Sequence, residues 1–119
     1  MLEKEIERLV CTYAKEKGFL TYKFSSPNHV GVPDRLFVAP YQQAFWIEFK
    51  REGGKPTAMQ EREAKRLREC GFEVYLVDSV EDGKTVIDKH NVLADFSVEV
   101  VVMMQQSIAK QEQSEATKH

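Results

Sequence analysis

Breaks rich in glycine and proline divide the chain into short segments, and this segmentation constrains the fold more than any other feature. Gly18 and Gly71 each follow a segment with helical character, and two loops, Ser25 to Pro33 and Gly53 to Pro56, separate the segments between them. Glycine commonly ends helices, and clustered glycine and proline mark turns. The chain up to residue 77 is therefore expected to be a succession of single helices and strands.

Three segments are expected to form helices. Apolar residues recur at helical spacing over residues 2–17. Thr57 is followed three residues later by Gln60, which is the pattern of a capping box, so a helix is expected over 57–70. A third helix is expected over 79–90, where a serine is in position to cap the first turn.

The segments between the helices are expected to form strands. They are rich in aromatic and aliphatic residues and cover 19–24, 35–39, 44–50 and 72–77. The second and third, separated by Pro40-Tyr41-Gln42, predict a hairpin, and the fourth is apolar enough for a central strand. The order α-β-β-β-α-β-α predicts an α/β fold with a mixed sheet flanked by helices, because the second helix can connect parallel strands.

Composition excludes several classes of protein. The two cysteines in 119 residues, Cys11 and Cys70, do not form a Cys-x-x-Cys pair, which argues against a zinc module or a secreted disulfide scaffold. We expect both to be core thiols, and a reducing cytoplasm as the location of the protein. No apolar run approaches the roughly 20 residues that cross a bilayer, so no membrane partner is expected.

Charge is distributed unevenly along the chain. The 17 Lys and Arg residues against 19 Asp and Glu residues give a formal net charge of −2, which at first argues against a nucleic-acid ligand. However, residues 1–70 contain 13 basic and 10 acidic residues, whereas residues 71–119 contain 4 and 9. A polyanion is therefore expected to meet the first part, whose most basic window runs from Lys50 to Arg68.

One strand is expected to present two charged side chains on the same face. In the segment Phe45-Trp46-Ile47-Glu48-Phe49-Lys50, alternation places Glu48 and Lys50 on one side of the sheet. A hairpin centred between residues 41 and 42 would place Asp34 opposite Phe49, next to both of them. Two carboxylates and an ammonium group are thus expected to converge at one end of the hairpin.

Such a convergence predicts a metal site. Two neighbouring carboxylates repel each other, and a divalent cation is the simplest compensation. Mg²⁺ and Mn²⁺ prefer oxygen ligands, so Asp34, Glu48 and the backbone carbonyl of Phe49 are candidate ligands of an open site. A bound ion would activate water and neutralise a phosphodiester, with Lys50 orienting the water or stabilising the transition state. The expected chemistry is phosphodiester hydrolysis.

These residues and their surroundings resemble a nuclease family. Gly31-Val32-Pro33-Asp34, Glu48-Phe49-Lys50 and Gln60 are similar to the PD-(D/E)xK signature in its virus-type replication-repair nuclease (VRR-NUC) form, and the resemblance covers roughly residues 3–82. It implies a restriction-endonuclease-like mixed sheet flanked by helices. A nuclease domain is expected over 1–95, followed over 96–119 by a polar C-terminal tail, helical or frayed.

The resemblance also implies roles for particular residues. The implied catalytic set is Asp34, Glu48, Lys50 and Gln60. A further metal-binding glutamate is implied in the first helix, where Glu3 and Glu7 both lie at one margin of the apolar stripe, so either is a candidate.

The residues and the resemblance together predict a Mg²⁺- or Mn²⁺-dependent DNA endonuclease that acts on branched DNA such as four-way junctions or flaps. A homodimer is expected, because small members of the family resemble junction resolvases, and twofold symmetry matches that of a junction. The candidate DNA-contacting residues are Lys23, His29, Arg35, Arg51, Lys55 and Arg62. The alternative is a non-catalytic DNA-binding or assembly protein on a nuclease scaffold, against which the intact acidic pair and lysine argue.

Overall fold

The computed structural model describes residues 1–40, 43–91 and 98–116. The elements, in chain order, are α1 (Glu3–Glu16), β1 (Leu20–Lys23), β2 (Arg35–Ala39), β3 (Gln43–Phe49), α2 (Ala58–Glu69), β4 (Glu73–Val77), α3 (Val80–His90) and α4 (Val98–Ala116). The order from α1 to α3 confirms the predicted α/β fold. Among the described helices, none combines the length and apolarity needed to cross a membrane.

The four strands form one mixed sheet in the order β1-β2-β3-β4. β2 pairs antiparallel with both β1 and β3, whereas β4 runs parallel to β3 and is reached through α2, as expected for a crossover. The prediction that 72–77 is a central strand is wrong, because β4 lies at an edge. Val74 and Val77 are buried where the helices α2 and α3 contact β4, whereas Leu76 is exposed, so the apolar segment reflects helix packing rather than pairing on both sides.

The hairpin register differs by one residue from the predicted one. Ala39 pairs with Gln43 and Arg35 pairs with Ile47, so the pairing is centred on residue 41 rather than between 41 and 42. Three residues lie between Ala39 and its partner Gln43, and an odd number of intervening residues centres the pairing on a residue rather than between two residues. Continuing this register places Asp34 opposite Glu48 instead of Phe49. The predicted turn residues Tyr41 and Gln42 lie outside the described residues.

The hydrophobic core lies between one face of the sheet and the helices α1 and α3. Phe37 and Phe45 stack in its centre, with ring centroids 5.4 Å apart. Other fully buried side chains of this core are Ile6, Val10, Ala14, Ile47, Phe49 and Ile87. Because side chains alternate along a strand, this burial sends Trp46 and Glu48 of β3 to the opposite face.

The two cysteines differ in their surroundings. Cys11 is buried in the core, as expected, whereas Cys70 is exposed, so the prediction of a second core thiol is wrong. Cys70 is the C-cap residue of α2, where the helix ends at the surface.

Gly83 allows α3 to pack closely on α1. It lies within α3 and is buried, and a Cβ atom at this position would collide with both methyl groups of Val10. Val10 is itself fully buried, so it has little room to move away. The glycine, which is unfavourable within a helix, is therefore explained by contact between helices.

We expect Gly83→Ala to lower the free energy of unfolding by about 1–2 kcal/mol, because overpacking a filled core outweighs the better helix propensity of alanine. Urea denaturation measures this change. The same substitution in a Val10→Ala background should cost less, since the colliding methyl groups are absent. An equal cost in both backgrounds would show that the contact with Val10 is not the cause.

Candidate active site

The paired ends of β2 and β3 bring Asp34 and Glu48 together. Asp34 directly precedes β2, and Glu48 is the second-last residue of β3. The backbone N–H of Phe24 donates a hydrogen bond to the carbonyl of Asp34 over 2.8 Å, which extends the β1–β2 pairing and fixes the aspartate. The carboxylates are close enough for the charge of Asp34 to act on Glu48.

Glu48 is a buried carboxyl group whose charge is only partly compensated. Its exposure is 9%. Burial and the charge of Asp34 raise its pKa from an ordinary 4.5 to about 7, and the ammonium group of Lys50 and a backbone hydrogen bond from Asp34 oppose this shift only in part. The Nζ atom of Lys50 lies 3.9 Å from Oε1 of Glu48, a distance too long for a hydrogen bond. Negative charge is therefore costly at this position unless a further cation is present.

The start of α2 fixes the side chain of Gln60. The predicted capping box is formed: the backbone N–H of Gln60 donates to Oγ1 of Thr57 over 3.1 Å, and the backbone N–H of Thr57 donates to Oε1 of Gln60 over 2.9 Å. Because its amide oxygen accepts this bond, Gln60 directs its Nε2 group to Glu48 Oε1, at 2.6 Å. A local helix-start motif thus sets the orientation of Glu48.

Two carboxylate oxygens in this site lack a hydrogen-bond partner. They are Oδ1 of Asp34 and Oε2 of Glu48, both buried. Unpaired buried oxygens with negative charge are costly, and a hard divalent cation is the ligand that such oxygens prefer. The residues present therefore fit a Mg²⁺ or Mn²⁺ ion.

The donor set of the protein is small. Within the described parts of the chain, no three His, Cys, Asp or Glu side chains form a group that could hold a metal ion. A site based on Asp34 and Glu48 would therefore depend on backbone carbonyl groups and water for its other ligands, as Mg²⁺ commonly does. Phe49, whose carbonyl was the third expected ligand, follows Glu48 at the end of β3.

Both glutamates proposed in the first helix lie near this site, in different environments. Glu7 is largely buried and accepts hydrogen bonds from Nζ of Lys23 at 3.1 and 3.2 Å, with Nε of Arg35 lying 3.5 Å from its Oε2 atom. Glu3 is exposed and close enough to Glu48 to contribute to its raised pKa. Glu7 is thus neutralised by neighbouring cations, and Glu3 faces solvent.

Lys23 lies between Glu7 and Asp34. Its Nζ atom is 2.9 Å from Oδ2 of Asp34, in addition to its contacts with Glu7. Partial burial lowers the pKa of Lys23, but the hydrogen bonds to the two carboxylates outweigh this effect and give a net increase. The lysine therefore stays positively charged.

The six candidate DNA-contacting residues divide into two groups. Lys23 and Arg35 are engaged in the ion pairs just described, and Nε2 of His29 lies 2.8 Å from Oε1 of Glu63. Arg51, Lys55 and Arg62 are exposed. The first group is committed to contacts within the protein, and the second is accessible to a ligand.

Two contacts that position the site were missed by sequence reasoning. Glu63, the buried residue of α2, pairs with His29 and also accepts a hydrogen bond from Arg66 over 3.1 Å. Gly31 has φ +99°, and a Cβ atom there would lie 2.5 Å from the carbonyl oxygen of Met59. The loop before Asp34 thus packs directly on the first turn of α2. The Gly-x-Pro-Asp pattern was a signal for the glycine, whereas nothing local indicates the partner of Glu63.

Comparisons with known proteins agree with this fold. No family model matches the chain. It is 40% identical over 77 residues to "Putative nuclease p44" of Acyrthosiphon pisum secondary endosymbiont phage 1, an alignment that covers 65% of this chain and 83% of the relative. A solved structure described as "VRR_NUC domain" has a TM-score of 0.67 at 29% identity and covers 72% of this chain and 94% of its own. A second, described as "VRR_NUC domain protein", has a TM-score of 0.64 at 18% identity, covers 76% and 88%, and supports the fold alone.

The raised pKa of Glu48 predicts a pH dependence of stability. Between about pH 4.5 and 7 the folded, metal-free protein keeps the Glu48 proton and the unfolded chain releases it, so stability falls as the pH rises. Relative to Glu48→Gln, the wild type should lose about 3 kcal/mol across this window, as measured by urea denaturation in EDTA.

The exposed Glu69→Gln substitution at the end of α2 is the matched control, because it removes the same charge at the surface. If the difference in stability between the wild type and Glu48→Gln stayed constant from pH 4 to 8, the conclusion that the charge of Glu48 is only partly compensated would be contradicted.

Proposed function

Because the chain belongs to the VRR-NUC family of PD-(D/E)xK nucleases, we propose that it is a Mg²⁺- or Mn²⁺-dependent DNA endonuclease that selects branched DNA. The observation that carries this proposal is the pair of buried, unpartnered oxygens, Oδ1 of Asp34 and Oε2 of Glu48. An acidic pair that can hold a divalent ion, with an adjacent lysine, supplies what phosphodiester hydrolysis can use, and a scaffold used only for binding has no need of it.

Asp34 and Glu48 would hold the metal ion, with the carbonyl of Phe49 and water as further ligands. When bound, such an ion neutralises charge on the phosphodiester and makes a water molecule more acidic. Gln60 holds Oε1 of Glu48 and thereby leaves Oε2 available. The capping box positions Gln60, and a backbone hydrogen bond from Phe24 fixes Asp34.

Lys50 would act on the substrate. Its side chain is 17% exposed and lies beside Glu48, so its ammonium group is held at the site while retaining access to solvent. A fixed positive charge there stabilises the negative charge that the phosphate gains in the transition state. It can also orient the attacking water.

Exposed basic residues around the site would bind the DNA backbone. Arg51 and Lys55 follow β3, and Arg62 lies on α2. Contacts of this kind position a duplex without reading its sequence. They support selection by DNA shape rather than by base sequence.

Selection of branched DNA would come from a homodimer. Apolar side chains are exposed on β1, where Leu20 and Tyr22 are 55% and 53% exposed, and on α4, where Met103 is 66% exposed. A second copy could cover such surfaces and place two active sites on opposite strands of a junction.

A panel of 5′-labelled four-way junctions, flaps, splayed arms and linear duplexes, incubated with Mg²⁺ or Mn²⁺, tests the proposal. We expect cleavage of branched substrates in preference to linear duplex and none in EDTA. Asp34→Asn, Glu48→Gln and Lys50→Met should each lower the cleavage rate by at least about 100-fold, because each removes charge that acts in the transition state. Binding of the junction by these variants should persist.

Lys84→Met and Glu69→Gln, which remove exposed charges elsewhere, serve as controls and should cut at the wild-type rate. Wild-type activity of Lys50→Met would remove the proposed role of the lysine. Binding of the junction by the wild type without any product would favour the non-catalytic alternative. If sedimentation showed a monomer that still cleaved junctions in preference to linear duplex, selection through a twofold-symmetric homodimer would be contradicted.

A further inference from the structure

The ammonium group of Lys23 occupies a position between two carboxylates of the site. Its Nζ atom lies 2.9 Å from Oδ2 of Asp34 and 3.1 and 3.2 Å from the two oxygens of Glu7. It therefore contacts both groups as a bridging cation would.

Strand pairing brings Lys23 close to Asp34. Lys23 pairs across the β1–β2 ladder with Arg35, and the next residue, Phe24, donates its N–H to the carbonyl of Asp34. The sheet thus brings the backbone of Lys23 next to Asp34. The ion pairs with Asp34 and Glu7 then hold its ammonium group between the two carboxylates.

The two carboxylates use this cation differently. Glu7 engages both of its oxygens with Lys23, and Arg35 lies 3.5 Å from one of them. Asp34 engages only Oδ2, and its Oδ1 is buried without a hydrogen-bond partner, as is Oε2 of Glu48. Asp34 therefore has one oxygen committed to a fixed positive charge and one available to an added ion.

We propose that Lys23 takes the position of a second metal ion, so that this nuclease binds a single divalent ion between Asp34 and Glu48, and Glu7 holds Lys23 instead of a metal. This inference rests on the proposed metal-dependent function and deepens it. In two-metal sites the ions lie about 3.5–4 Å apart and share ligands. Here the ammonium group of Lys23 already lies beside Oδ2 of Asp34. A second divalent ion would be repelled by this positive charge and would have to displace it.

The number of Mn²⁺ ions bound per chain, measured by isothermal titration calorimetry without DNA, tests this inference. We expect one ion for the wild type and two for Lys23→Met, because loss of the ammonium group frees Oδ2 of Asp34 and both oxygens of Glu7. The lysine side chain is 56% exposed, so the variant is expected to fold. Lys23→Gln, which keeps a polar side chain, repeats the test should the methionine variant fail to fold. Lys84→Met, an exposed lysine on α3, is the matched control and should bind one ion.

Two ions in the wild type would overturn the inference while leaving a metal-dependent nuclease in place, and so would a single ion in both Lys23 variants. Absence of any bound Mn²⁺ in the wild type would instead overturn the metal dependence on which the inference rests. Because this readout does not use cleavage, the two failures are distinguishable.

Discussion

The negative charge of Glu48 is the constraint on which the rest of the site depends. Burial and the neighbouring Asp34 raise its pKa to about 7, and the ammonium group of Lys50 lies 3.9 Å away. Replacing buried charged side chains with apolar ones is often neutral or stabilising, so stability alone does not explain why Asp34 and Glu48 are present. That the fold keeps both carboxylates, with one oxygen of each unpartnered, is understandable if a cation completes the site.

Packing and capping interactions outside the carboxylate pair hold these side chains in place. One face of β3 buries Phe45, Ile47 and Phe49 in the core, and this burial fixes the strand that carries Glu48 on its other face. The capping box of α2 then directs Gln60 to one oxygen of Glu48, and the contact of Gly31 with α2 brings the loop before Asp34 to the same place. Main-chain geometry and helix capping therefore position Asp34, Glu48 and Gln60.

Local sequence patterns predicted most of these features, whereas contacts between distant segments were not predicted. Alternation in β3 and the capping box depend on neighbouring residues, so the sequence contains them directly. The edge position of β4, the exposure of Cys70 and the pairing of Lys23 with Glu7 depend on how whole elements pack, and no local pattern encodes that. The hairpin register is an intermediate case. The two strands could be predicted locally, but their pairing shifts by one residue when the turn is one residue longer or shorter.

A crystal structure with Mn²⁺, in which anomalous scattering locates the ion, is the decisive measurement on the pair Asp34 and Glu48. We expect one peak in contact with Oδ1 of Asp34 and Oε2 of Glu48, with Lys23 still bound to Glu7. Ordered, unligated carboxylates at saturating Mn²⁺, or an ion bound away from this pair, would contradict it.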